Sequence, residues 1–240
     1  MTAPAVRVAG RGEVDGAPLF GPLDIVLPGG QWTCLLGPSG VGKSTVLRLI
    51  ADLPTGVSFL GTISAEDGMP LKGRVGYMAQ SDLLLPWLDV TGNVELGARL
   101  RHERPDAARA AALVERVGLG PRARRRPRTL SGGERQRAAL ARTLMEDRPI
   151  VLLDEPFSAL DAGNRAAMQE TAAELLAGRT VLLVTHDPAE AARLGHHILV
   201  MTASGVIPAE PPALPPIRPF DDPGTLACQA RLLTLLRRAA

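Results

Sequence analysis

The chain has 240 residues, with 27 basic and 25 acidic side chains for a formal charge of +2, and 45% hydrophobic residues against 3% aromatics. That length suits one large domain or two small ones, with a core built from Leu, Val, Ile and Ala. The near balance of charge gives no reason to expect nucleic acid as a partner, and no uncharged apolar stretch approaches the roughly 20 residues that span a bilayer.

In chain order, residues 6–27 break into short strand-like pieces separated by Gly and Pro, which predicts an antiparallel sheet at one edge. Trp32 to Leu36 is the first of several short, mostly unalternated apolar runs. Arg74–Met78, Ile150–Leu153, Thr180–Thr185 and His197–Met201 follow. Such runs suit strands of a parallel sheet covered on both faces. Helical segments, Lys43–Ala51 and Asn164–Leu176 among them, lie between several of these strands, the rhythm of an α/β domain. Residues 83–144 read as mainly helical. There Pro105 is placed at a first helical position, and Ala107, Ala111, Val114 and Val117 recur at helical spacing. Past Val206 prolines accumulate, predicting a loosely packed connector before a short Leu-rich helix over Thr225–Arg238. The expected organisation is one domain over 1–205, a helical subdomain inserted at about 83–145, and a tail over 206–240. Cys34 and Cys228 are far apart and have no metal-ligand spacing, which favours a reducing compartment. The first residues lack a basic start followed by an apolar run, so no secretory leader is expected.

The first chemical motif joins the strand ending at Leu36 to the helix starting at Lys43. Gly37, Pro38, Ser39, Gly40, Val41, Gly42, Lys43, Ser44 and Thr45 match the phosphate-loop pattern in full and in the right context. Its glycines let the backbone turn tightly and approach phosphate oxygens. Successive N–H groups then form an anion nest, reinforced by the helix N-terminus. Lys43 supplies a compact charge to the β- and γ-phosphates. Lysine occurs only at 43 and 72 in a chain that otherwise uses arginine, so its presence here is informative. Ser44 offers a hydroxyl to Mg²⁺. This motif means nucleotide binding and nothing narrower.

Ile150 to Glu155 is an apolar strand ending in two carboxylates. Asp154 suits Mg²⁺ held through water, and Glu155 suits polarisation of the attacking water. Leu130 to Arg137 narrows the class. Ser131 and Glu134 make a capping box that opens a helix through Leu144. A box does not require Gly132 and Gly133, which weaken a first helical turn. With Ser131 they form a second phosphate-binding helix end. Two anion sites on one chain are reconciled by a head-to-tail dimer in which each copy completes the other's site.

Leu130 to Arg137 resembles the signature motif of the ATP-binding cassette family, and the rest of that family's pattern follows in order over roughly residues 5–205. The resemblance implies a P-loop NTPase core with an antiparallel β edge and an inserted helical subdomain, ATP and Mg²⁺ as ligands, and ATP hydrolysis coupled to transport. It assigns Gln80 to the glutamine loop, contacting Mg²⁺ and sensing a membrane partner. Ser158 to Asp161 match the D-loop, with Asp161 at the dimer interface. His186 matches the switch histidine at the γ-phosphate. One departure stands out. The family's adenine-stacking aromatic usually lies some 25 to 30 positions before the lysine, and the stretch 8–20 here holds only Phe20. Weak base selectivity is therefore expected.

The segment Asp82–Val90 and on to Val94 is similar to bacterial importer ATPases for sulfonates, taurine, nitrate and pyrimidine precursors. Leu84, Leu85 and Trp87 there suit either the docking of a short membrane-subunit helix or the subdomain core. That likeness implies permease subunits, an extracytoplasmic solute-binding protein, and a place on the cytoplasmic face of the inner membrane. A soluble cassette ATPase in a non-transport complex, such as iron–sulfur cluster assembly, is the alternative. Five arginines over Arg122–Arg128 are read as a solvated loop.

Overall fold

The computed structural model describes residues 3–239. Its contacts divide the chain into two units, one running up to Val75 and taking in Pro149–Asp154 and everything from Ala177 onward, the other made of Gly76–Arg148 and Glu155–Leu176.

In the first unit, strands β1 (Val6–Val14), β2 (Ala17–Leu27) and β4 (Ser58–Ala65) form an antiparallel sheet in the order β2-β1-β4. This is the edge sheet predicted from residues 6–27. The sequence reading missed β4, whose Gly-rich, mostly exposed residues carry no clean alternation. The parallel strands are β3 (Trp32–Leu36), β6 (Ile150–Asp154), β7 (Thr180–Val184) and β8 (His197–Thr202), within one residue of expectation at nearly every end. β3 pairs with β7 on one side and β8 on the other, and β6 lies beyond β7. Every residue of β3, β6 and β7 is buried, which is why these runs show no alternation. Helix α1 (Lys43–Ile50) leaves the carboxyl end of the central strand β3 and seats Val46, Leu47 and Ile50 in the core. The open α/β rule places ligands at such carboxyl ends.

The tail is held more closely than its prolines predicted. β9 (Gly205–Ala209) pairs antiparallel with β8. Arg218 is 3% exposed, and its guanidinium donates to the carbonyls of Ala192 and Gly195 at the end of α7 (Pro188–Leu194), and to those of Pro212 and Leu214. One buried cation thus satisfies four orphan carbonyls and fastens the proline run, which the sequence alone could not reveal. α8 (Pro223–Ala239) then packs against α7 and β8.

The second unit begins within β5 (Val75–Met78) and is helical: α2 (Val90–Val94), α3 (Leu96–Leu100), α4 (Ala107–Arg116), α5 (Gly132–Met145) and α6 (Ala162–Leu175). Pro105 lies outside α4, before its N-cap. Asp106 takes that position and accepts from the Arg109 N–H. A side-chain acceptor there satisfies an otherwise orphaned donor, which proline cannot do.

Candidate active site

In the first unit, the turn after β3 takes the form that phosphate binding needs. Gly42 is the N-cap of α1 at φ +104°, in the left-handed region that disfavours other residues. A Cβ there would also lie 2.7 Å from the Phe20 ring, and one on Gly12 would lie 2.4 Å from it. Phe20 is fully buried. Its ring is therefore the floor of the phosphate loop, wedged beneath two glycines, and is not presented for stacking on a base. At the β1–β2 turn, Val14 is 37% exposed.

Lys43 is 8% exposed, and its ammonium donates to the Gly37 and Pro38 carbonyls at 2.8 Å each. The cation is folded back onto its own loop, where these carbonyls offset part of its desolvation. The Ser44 hydroxyl donates to Asp154 Oδ1 at 3.1 Å, across 110 residues of sequence. Asp154 is buried at the end of β6. The proposed hydroxyl and carboxylate donors therefore already meet. His186 follows β7 and is exposed. Its loop is braced from below. The Thr185 hydroxyl donates to buried Glu190 at 2.7 Å and accepts from the Asp187 N–H, and Asp187 caps α7 by accepting from the Ala189 N–H. Thr185 and Glu190 were not singled out from the sequence, although Asp187 followed by Pro188 is a helix-start signal.

In the second unit, Glu155 has φ +49°, a left-handed conformation for a non-glycine residue immediately after a strand. Such strain persists only where neighbours hold it, and it concentrates at functional sites. The neighbours are visible. Gln80 Nε2 donates to Glu155 Oε2 at 3.3 Å. Buried Gln136 donates from its amide to the Glu155 carbonyl at 2.8 Å and to Ser158 Oγ at 3.1 Å, while its own oxygen accepts from the Ala159 N–H at 2.9 Å. Gln136 thus ties the signature helix to the glutamate and to the loop that follows it. Gln136 lies inside the signature motif, yet the sequence gives it no role, since a glutamine on an arginine-rich helix carries no signal of burial.

The capping box is formed in full: the Ser131 hydroxyl accepts from the Glu134 N–H, and the Glu134 carboxylate accepts from the Ser131 N–H. That backbone hydrogen bond, with Arg122 beside it, holds the Glu134 carboxyl below its usual range. Ser131 and Gly132 are exposed and Gly133 is half-buried. Asp161 caps α6 through the Asn164 N–H and amide, which likewise lower its pKa. The loop after Gln80 is pinned by arginines of α5: Arg135 donates to the Asp82 carboxylate, Arg142 to the carbonyls of Asp82 and Leu83. Asn93, fully buried, accepts from the Leu85 N–H and donates to the carbonyls of Leu85, Leu88 and Asp89. This turn divides the apolar segment. Leu84 faces the core, while Leu83 and Trp87 are 62% and 65% exposed. Trp87, Leu88 and Thr91 line an open groove of about 690 Å³ together with residues of α4.

The chain is similar to proteins of one known family. A family model described as ABC transporter matches residues 20–158. An uncharacterized ABC transporter ATP-binding protein of Haemophilus influenzae is 46% identical over 189 residues, 78% of this chain and 77% of the relative. An aliphatic sulfonates import ATP-binding protein of Paracoccus denitrificans is 40% identical over 243 residues, 98% of this chain and 93% of that protein. Among solved structures, the dimeric post-hydrolysis state of an ATP-binding cassette bound to ADP and phosphate superposes with a TM-score of 0.74 at 26% identity, covering 89% of this chain and 99% of the other. A bacterial Atm1-family exporter with ATP bound gives 0.74 at 25% identity, over 85% of this chain and 38% of the exporter. The chain belongs to the ABC transporter family, as an ATP-binding and ATP-hydrolysing subunit.

Proposed function

We propose that this subunit drives the import of a small polar solute, of the organic-anion kind named for its sulfonate-importing relatives. The observation that carries the reading is the match to those relatives along nearly the whole chain, tail included. No described helix is long and apolar enough to cross a membrane, so permease subunits supply the path. The exposed Trp87 lining the second unit's groove suits an amphipathic helix of such a subunit. The protein then works at the cytoplasmic face of the inner membrane, with an extracytoplasmic solute-binding protein delivering the cargo.

In this reading two copies enclose two ATP molecules. Lys43 exchanges the Gly37 and Pro38 carbonyls for phosphate oxygens, and the N–H groups of residues 39–45 cradle the β-phosphate. His186 and Gln80 reach the γ-phosphate from the same copy. Ser131, Gly132 and Gly133 of the second copy meet it with the N-terminus of α5, and Asp161 lies at the seam between copies. Glu155, oriented by Gln80 and Gln136, accepts the proton of the attacking water.

Ser44 and Asp154 fit Mg²⁺, and the family resemblance assigns Gln80 to the same ion. A small hard cation takes few protein oxygens and completes its shell with phosphates and water, and the Ser44–Asp154 pair is the kind of sparse oxygen set it uses. Held there, such a cation would supply charge neutralisation for the phosphates.

Titration of ATP-Mg by calorimetry tests the site. Lys43→Ala is expected to abolish tight binding while the melting temperature stays close to wild type. Near-normal hydrolysis by that variant would overturn the assignment.

A further inference from the structure

We propose that α8 is a self-association surface, its exposed face pairing antiparallel with the same face of a second copy of this chain. One side of the helix is committed to the first unit: Thr225, Cys228 and Leu232, spaced i, i+3, i+7, are buried there. On the opposite side Leu226 and Leu233 are 49% and 53% exposed. Ala230 and Arg237 are exposed in line with them. The spacing i, i+4, i+7, i+11 keeps all four within about 60° around the helix. The stripe is apolar in the middle and charged at its ends, with Asp222 before the first turn and Arg237 in the last. Asp222 is fixed in place by accepting from the Thr225 N–H and hydroxyl.

This pattern is complementary to its own reverse. An antiparallel register that sets Leu226 against Leu233 of the second copy also sets Asp222 opposite Arg237, with Gln229 and Ala230 flanking the twofold axis. One register satisfies every pair, as an isologous contact requires. Small Ala230 at the crossing lets the helices approach closely. The opposed helix dipoles favour the arrangement as well. A parallel pair would set like charges against each other at both ends. The patch is far smaller than the roughly 1,200 Å² of a stable interface. It therefore acts as an auxiliary contact, strengthened when two copies are already held together.

The proposal does not rest on the nucleotide reading and is tested on the full chain without nucleotide. Cys34 and Cys228 are buried, so introduced cysteines report on the surface. Under mild oxidation Ala230→Cys should form a covalent dimer about tenfold faster than Arg231→Cys, which sits off the stripe. A mixture of Leu226→Cys and Leu233→Cys chains should cross-link as heterodimer faster than either alone. Arg237→Glu, or high salt, should slow the Ala230→Cys reaction several-fold. Equal rates at 230 and 231, or rates indifferent to charge reversal and salt, would overturn it. So would flotation with anionic vesicles that depends on Leu226 and Leu233 in the absence of cross-linking, which would assign the face to a lipid surface.

Discussion

The phosphate loop and the signature helix both present a helix N-terminus, yet they are built in opposite ways. The loop grows from the central strand of a sheet. Its lysine is buried and its turn rests on Phe20. Most of its determinants are adjacent in sequence. The signature end is exposed, closed by a local capping box, and its depth comes from Gln136 reaching residues about 20 positions away. The first reads as a site complete in its cation. The second offers exposed helix-end N–H groups, its nearest arginine tied to the capping glutamate, which suits the proposed role of completing another copy's site.

The largest effect that would test this contrast is at Glu155. Glu155→Gln is expected to keep the left-handed turn but lose the proposed base, and so to lower turnover by about 10²–10⁴ while ATP binding persists. Gel filtration with ATP should then show a stabilised dimer, and a purely monomeric profile would break the two-half-site reading. Next, Phe20→Ala removes the floor of the loop and is expected to cost about 3–5 kcal/mol of stability. Denaturant melts measure this, and weakened ATP binding should accompany it. Gln136→Ala leaves the Ala159 N–H without its partner and removes one of the donors to the Glu155 carbonyl, a loss of about 1–3 kcal/mol. Steady-state kinetics should show kcat falling more than KM rises, because the glutamate loses its orientation rather than the nucleotide its cradle. With Phe20 buried and no aromatic at the β1–β2 turn, ATP and GTP affinities should differ by less than about tenfold. Competition binding decides it.

The smallest effect is at His196. Its Nδ1 accepts from the Trp32 N–H at the start of β3. Burial first, then nearby Arg218 and His197, push its pKa below the usual histidine range. The folded state therefore prefers the neutral ring. Its contribution to stability is full above the unfolded-state value near about 6.5 and is lost as pH falls from there through the lower folded-state pKa. Thermal melts between those values should show stability declining, and His196→Asn should flatten the decline.

Much of this was legible in the sequence because it is local. Unalternated apolar runs located the buried strands, the phosphate-loop spacing placed Lys43 and Ser44, and the serine–glutamate spacing gave the capping box. A strand's burial on both faces and a helix's first turn are encoded within a few residues, so pattern suffices. What tertiary structure decided involves partners far apart. Nothing local tells that Ser44 meets Asp154, that Gln136 is buried against the Glu155 backbone, or that Phe20 is a floor for Gly42 and not a platform for a base. Likewise Arg218, in a run that reads as a loose connector, is buried because α7 ends beneath it with carbonyls to satisfy. In each case the chain supplies a group whose role is set by what the fold brings against it. A buried polar atom must find a partner, and that partner's position is not written in its neighbourhood.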